Sequence, residues 1–411
     1  MKLRQNIVMY LLLIVLLLAV VIGLLLRNTD IDNNANTNSD TNPNSSDVID
    51  NNENVEKPIP ETFCKEVTDS DSVPSDVLKV ITDYMDEYYR SMYTLEQVPT
   101  ASYFCDDVQA AISEYSIKLI IESRKLYGDD FKLDDAYYVL NIKNCSEVDD
   151  NEYLIEVLED DYLYFKCLDG ISSETIDVDN IYRIKLVDTE YKIESLMKEQ
   201  SQNIVFDENE VESVDEVVDI YEHYFDNLKY TFDKENSYRN DAQRNPYVAS
   251  KKYEVKFNGD AAAKYASDHY LIRNENYADF SDGGGNCQNM AGQALIAGGM
   301  IMDEVGDYQW YYNNSSDSSY SWRTVKGFGD YVEGNDGHGM VAEKVANIYY
   351  AEPGDIVHVG HRTSLSHATV VTKIVNGHIL LSSNSIDMKD FPLEAYIYSN
   401  RKLIKILGYN S

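Results

Sequence analysis

The chain has 411 residues, enough for two or three domains, and 35 basic against 71 acidic side chains give it a net charge of −36. That balance argues against nucleic acid as a partner and against docking on an anionic surface. From Pro246 onward 14 basic residues meet 19 acidic ones, so most of the excess lies upstream, where it serves solubility. In chain order, Ile7–Leu26 is an uncharged run of 20 residues, the length that crosses a bilayer as a helix. Lys2 and Arg4 precede it, while Asp30 and Asp32 follow Arg27. This pattern predicts a single-pass signal anchor over residues 1–27, with the chain's own membrane as a partner and the later domains extracellular. Residues 28–60 are dominated by Asn, Asp, Ser and Thr and predict a disordered stalk.

Residues 61–203 read as two helices followed by strands. Val77, Ile81, Tyr84, Tyr88 and Met92 share one helical face behind Ser75. Val108, Ile112, Tyr115, Leu119 and Leu126 form a second stripe, stopped at Gly128. Strand-like runs follow over 136–144, 152–158, 162–168, 181–187 and 191–197, separated by acidic and Asn-rich turns. Helices first and a meandering sheet after them make an α+β domain with a curved antiparallel sheet. The order resembles the NTF2-like cone fold in pattern alone, and its aromatics read as core. A third amphipathic helix over 212–229 and a polar stretch over 233–248 predict a connector, 204–248, before a C-terminal domain at 249–411. Cys64, Cys105, Cys145 and Cys167 could form two disulfides in any of three pairings, which leaves Cys287 the odd one.

Cys287 opens the most informative stretch. Three glycines precede Asn286, and small or apolar residues then recur at 287, 290, 291, 294, 295 and 298. This is the stripe of a helix buried on one side, capped by Asn286 and ended by Gly298-Gly299. A thiol at such an N-terminus is favoured as thiolate; the plainer reading is a small core thiol. Downstream, Ile356–Val359 reads as a strand, and Asn376-Gly377 joins the runs 368–374 and 378–383 as a hairpin. If Val375 pairs with His378, His367 stands opposite Ile386, and Asn384 becomes its diagonal neighbour on the same face. An imidazole beside an orienting amide suits a cysteine nucleophile. His358, His361 and His367 could instead hold a metal, but no acidic or thiol cluster supports that reading. His338, in a Gly-rich loop, reads as a solvated turn residue.

From Phe257 to about Tyr396 the chain resembles the putative amidase domain of exported Firmicute proteins, part of the papain-like CHAP and NlpC/P60 group. The resemblance rests on ordered matches: Phe257-Asn258-Gly259 with Ala261, Ala262, Tyr265 and Ala266; Asn276-Tyr277 and Phe280; Asn286 to Gln293 and Ala297-Gly298-Gly299. Trp310-Tyr311-Tyr312, Ser321-Trp322, Pro353-Gly354-Asp355-Ile356, Ser366-His367-Ala368 and Asn384 to Asp387 complete it. It implies hydrolysis of amide bonds, with a cell-wall peptide or peptidoglycan as substrate and no cofactor or metal. In that scheme Cys287 attacks, His367 moves protons and Asn384 orients His367, while Gln288, Asn286, Trp310 and Trp322 are candidates for oxyanion or substrate contacts. Departures from the family's pattern at Phe257, Gly259, Asn286, Met290, Gly292 and Asn384 keep a rival open: a catalytically inactive binding module at the cell surface. The expected fold class is therefore α+β: a transmembrane helix, a disordered stalk, an α+β domain with a curved antiparallel sheet, then a papain-like α+β domain.

Overall fold

A computed structural model describes residues 58–198, 211–281, 285–335, 337–360, 364–385, 387–396 and 400–411. They fall within one compact unit, Lys57–Ser411. The first described strand, β1 (Cys64–Thr68), is followed by helices α1 (Ser75–Thr94) and α2 (Asp107–Lys125). Asp106 caps α2 by accepting from the Gln109 amide at 2.9 Å, and Gly128 beyond its end takes φ +79°. Four long strands come next: β2 (Leu133–Asp149), β3 (Glu152–Phe165), β4 (Ser173–Val187) and β5 (Glu190–Lys198). β3 joins two runs that the sequence reading kept apart. The acidic Glu159-Asp160-Asp161 between them continues the ladder because Glu159 is held by Tyr89 and Asn180, and Asp160 by Asn141.

Helix α3 (Val214–Arg244) runs through most of the polar stretch read as linker. Its second half has little apolar periodicity and is anchored by charge instead. Glu235 pairs with Arg401, Arg239 with Glu394 at 2.7 Å, and Asp241 accepts from Asn347 and Tyr350. The remaining elements are β6 (Val255–Lys256), α4 (Gly259–His269), α5 (Cys287–Ala297), β7 (Tyr312–Asn314), β8 (Asp317–Ser318), α6 (Tyr320–Arg323) and α7 (Val325–Gly334). Then come β9 (Gly339–Val345), β10 (Ile356–Gly360), β11 (His367–Val375), β12 (His378–Ser383), β13 (Asp387–Pro392) and β14 (Asn400–Asn410).

Twelve of these strands form one sheet in the order β1-β2-β3-β4-β13-β12-β11-β10-β14-β6, with β5 on β4 and β9 on β14. β4 is the junction: Glu174–Ile176 pair with Lys389–Asp387 of β13, while Asn180–Val187 pair with β5. The central strands are buried on both faces. Val357, Val359 and Val371 face the core shared with α1, α2 and the long strands. Ile356, Ala368 and Val370 face the second core, built around α5 and the two tryptophans.

The expected fold class needs correction. The two α+β folds read in series share one large mixed sheet, because β13 continues the β4 ladder. No helix among the described residues is long and apolar enough to cross a membrane. The run Ile7–Leu26, and the stalk up to residue 57, lie outside the described residues. All five cysteines are free thiols, so neither of the two possible disulfides is formed.

Candidate active site

Cys287 begins α5 as the sequence stripe predicts, with Gly298 ending the helix. Asn286 stands at the cap position, but its side chain makes no capping bond. It belongs instead to a buried chain of amides. Asn286 Nδ2 donates to Asn384 Oδ1 at 3.0 Å, Asn289 Nδ2 donates to Asn286 Oδ1 at 2.6 Å, and Trp322 Nε1 donates to Asn289 Oδ1 at 2.6 Å. Such a network is rigid only when every member is satisfied, as these are. It pins the first turn of α5 to the end of the β11–β12 hairpin.

The same hairpin sets the surroundings of His367. Val375 pairs with His378 as expected, and Asn376 and Gly377 both take positive φ. The ladder then slips by one residue between Val371 and Lys373, where Thr372 bulges and bonds to Leu380 and Asp390. A one-residue slip exchanges the faces of everything beyond it. The slip puts Ser383, not Asn384, beside the imidazole, and Ser383 Oγ lies 3.1 Å from His367 Nε2. Ile386 lies outside the described residues. The Cys287 thiol lies within hydrogen-bonding reach of the Ala368 backbone amide, one residue past His367. Ala368 shares the α5 core with Cys287, whereas His367, the residue before it, pairs with Val359 on the alternate side of the strand, and no hydrogen bond joins thiol and imidazole among the described residues.

The electrostatics are those of a dry site. Cys287 is 7% exposed, and burial pushes its thiol up, opposed by the backbone amides of Ala368, Gln288 and Cys287 itself. Burial also lowers His367 to about 4. The resting pair is therefore a neutral thiol and a neutral imidazole, against the thiolate expected from a helix N-terminus. Desolvation outweighs the helix dipole here.

Gln288 follows Cys287 in the first turn of α5. Its Oε1 is 2.9 Å from His358 Nε2, while its Nε2 is buried without a partner. His358, lowered to about 3 by burial and by the charges of Lys344 and His367, lines a groove of about 600 Å³ with Leu365, Ile404, Lys344 and Lys402. His358 and His367 occupy adjacent ladder positions with separate partners, and His361 lies outside the described residues. No group of three or more His, Cys, Asp or Glu able to hold a metal occurs among the described residues.

Trp310 and Trp322 are fully buried, their ring centroids 5.1 Å apart. They support the site from beneath and offer no surface to a ligand. Gly292 is explained by the same packing, because a Cβ there would meet the Trp322 ring at 3.2 Å. Ser383 is the residue that sequence reasoning passed over, and His358 enters it only as a candidate metal ligand. Ser383 depends on a bulge that no residue type announces, whereas His358 sits on a strand whose alternation carried the signal.

No curated protein and no solved structure matches the chain. One family does, over little more than a third of the length and including every group just described: residues 256–408 match the family described as the putative amidase domain.

Proposed function

We propose that the general chemistry supported by the family match, hydrolysis of amide bonds, is carried out here by Cys287 as nucleophile. The observation that carries this reading is the Cys287 thiol within reach of the Ala368 backbone amide, in the strand that His367 opens. His367 Nε2 is engaged by Ser383, which leaves Nδ1 as the nitrogen to take the thiol proton. The sulfur attacks the carbonyl carbon, and the Cys287 amide and Gln288 Nε2 receive the oxyanion. The proton on His367 then goes to the leaving amine, and water, deprotonated by the same ring, releases the acid from the thioester. The groove beside His358 and Gln288 is the approach for an extended substrate. A cell-wall peptide or peptidoglycan is the proposed substrate class, on the resemblance to exported amidases and the extracellular location that the sequence of residues 1–27 leads one to expect.

One observation favours a second reading, an inactive binding module: a buried thiol held protonated is a poor nucleophile. Release of new amino groups from peptidoglycan by the full chain, alongside Cys287→Ala, separates the two. Release by the native chain alone supports the amidase. Equal binding of sacculi by both proteins, with no release by either, establishes the module.

A further inference from the structure

Away from the active site, α2, β3 and the end of β5 enclose a cavity of about 40 Å³, closed on one side by Phe391 and Ala395 of the amidase segment. Arg124 and Asp161 line it, and both lack partners at atoms buried from solvent. The Arg124 residue is 4% exposed, and its Nε and Nη1 bond to nothing; Asp161 Oδ1 is equally alone. A buried guanidinium without a counter-ion is among the costliest groups a fold can hold.

The neighbouring charges do not relieve it. Glu159, in the same wall, is occupied by Tyr89 Oη at 2.9 Å, Asn180 Nδ2 at 2.7 Å and Lys198 Nζ at 3.3 Å. Among the described residues, Arg124 lies over the Phe165 ring, 5.0 Å from its guanidinium carbon, with Tyr88 in the same wall and no carboxylate paired with it. Burial draws Arg124 down to about 10, with no carboxylate among the influences that oppose it. Burial pushes Asp161 up to about 7, moderated by Lys198. The cavity therefore sets Arg124 and Lys198 against Glu159, which is committed to other partners, and Asp161, whose carboxyl burial pushes up. It lacks an anion at Arg124 and a donor at Asp161.

Size narrows what could supply both. A water needs roughly 10–15 Å³ of such space, so about three waters fit, or a molecule of four or five heavy atoms.

We propose that this cavity binds a two-carbon carboxylate that also carries a hydrogen-bond donor, an α-amino or α-hydroxy acid of the size of glycine or glycolate. Its carboxylate pairs with Arg124 and its donor with Asp161 Oδ1. Arg is suited to this task because its nitrogens match the two carboxylate oxygens.

The test is thermal unfolding of the full chain with glycine, glycolate, acetate and potassium chloride at matched ionic strength. A ligand that binds the folded state alone raises Tm in a saturable way. Glycine or glycolate should do so, their relative strength showing whether the donor is ammonium or hydroxyl. Acetate, which lacks the donor, should bind at least tenfold more weakly, and chloride should give no saturable shift. Arg124→Met keeps the side-chain volume, removes the charge and should abolish the response. Should that variant fail to fold, Asp161→Asn keeps Arg124 and should change the preference for glycine or glycolate over acetate. The proposal is overturned by the absence of a saturable shift with all four probes, by a shift that persists in Arg124→Met, or by an Asp161→Asn protein with unaltered preferences.

Discussion

At the scale of single residues, the site is governed by desolvation. The Cys287 thiol is raised above the ordinary value of about 8.5. Iodoacetamide should therefore label it slowly at pH 7, and the rate should climb only in alkaline buffer, as followed by mass spectrometry of the Cys287 peptide. Fast labelling at pH 6 would show a thiolate already formed. Gln288→Ala removes the unpaired Nε2 and should lower kcat by about 10²–10³-fold with KM little changed. An unchanged kcat would remove Gln288 from the oxyanion site. The imidazoles give a pH dependence with a definite sign. His367 and His358 are depressed to about 4 and about 3, against about 6.5 in an unfolded chain. The stability they contribute is complete above pH ~6.5 and is lost as pH falls through the folded values. Asp161 and Asp355, raised to about 7 and about 6, act in the opposite sense. The comparison is thus between the native chain and the pair His358→Gln, His367→Gln, in which acid should cost less stability. Identical pH slopes in the two proteins would show that neither ring is held neutral.

At the scale of elements, the β11–β12 hairpin shows how a turn signal and a register can part company. Asn376-Gly377 sets the first three pairs, and the Thr372 bulge then hands the imidazole from Asn384 to Ser383. Two variants separate these roles. Ser383→Ala should reduce kcat and alter its pH profile while costing about 0.5–1.5 kcal/mol of stability. Asn384→Ala strands the Asn286 amide and should cost about 1–3 kcal/mol, read as a lower Tm. The reverse pattern would restore Asn384 as the residue that orients His367. Helix α3 teaches a related lesson. Its second half is polar in sequence, yet it is helical to Arg244 because Glu235, Arg239 and Asp241 find partners on later elements.

Over the whole molecule, the amidase segment is integrated with what precedes it. β13 lies on β4, Ser173 Oγ donates to the Asp390 carbonyl at 2.9 Å, and Asn376 Nδ2 donates to the Cys167 carbonyl at 3.0 Å. A fragment beginning at Ser250 would uncover the β13 edge and leave Glu394 and Arg401 without their α3 partners. It should aggregate, or unfold at a much lower temperature than the full chain; a monomer with the full chain's Tm would contradict this. Within the full chain, Glu235→Ala leaves the Arg401 guanidinium, whose side chain is 10% exposed, without its carboxylate. The expected loss is about 3–5 kcal/mol by chemical denaturation, and a change under 1 kcal/mol would show the pair to be solvated.

Local pattern alone determined a good deal about this protein. The helical stripes of α1, α2 and α5, the hairpin turn and the ordered motifs from Phe257 onward are short-range signals, and each depends on residues a few positions apart. They were enough to place Cys287 at a helix start, to single out His367 and to identify the amidase domain. Tertiary structure decided what depends on distant partners. It joined β4 to β13 across more than two hundred residues, because a strand edge pairs through backbone groups that carry no sequence label. It also held the Cys287 thiol protonated, because the dielectric around a side chain is set by everything packed on it. Finally, it gave His367 a serine partner, because one inserted residue in a ladder exchanges the faces of all that follow.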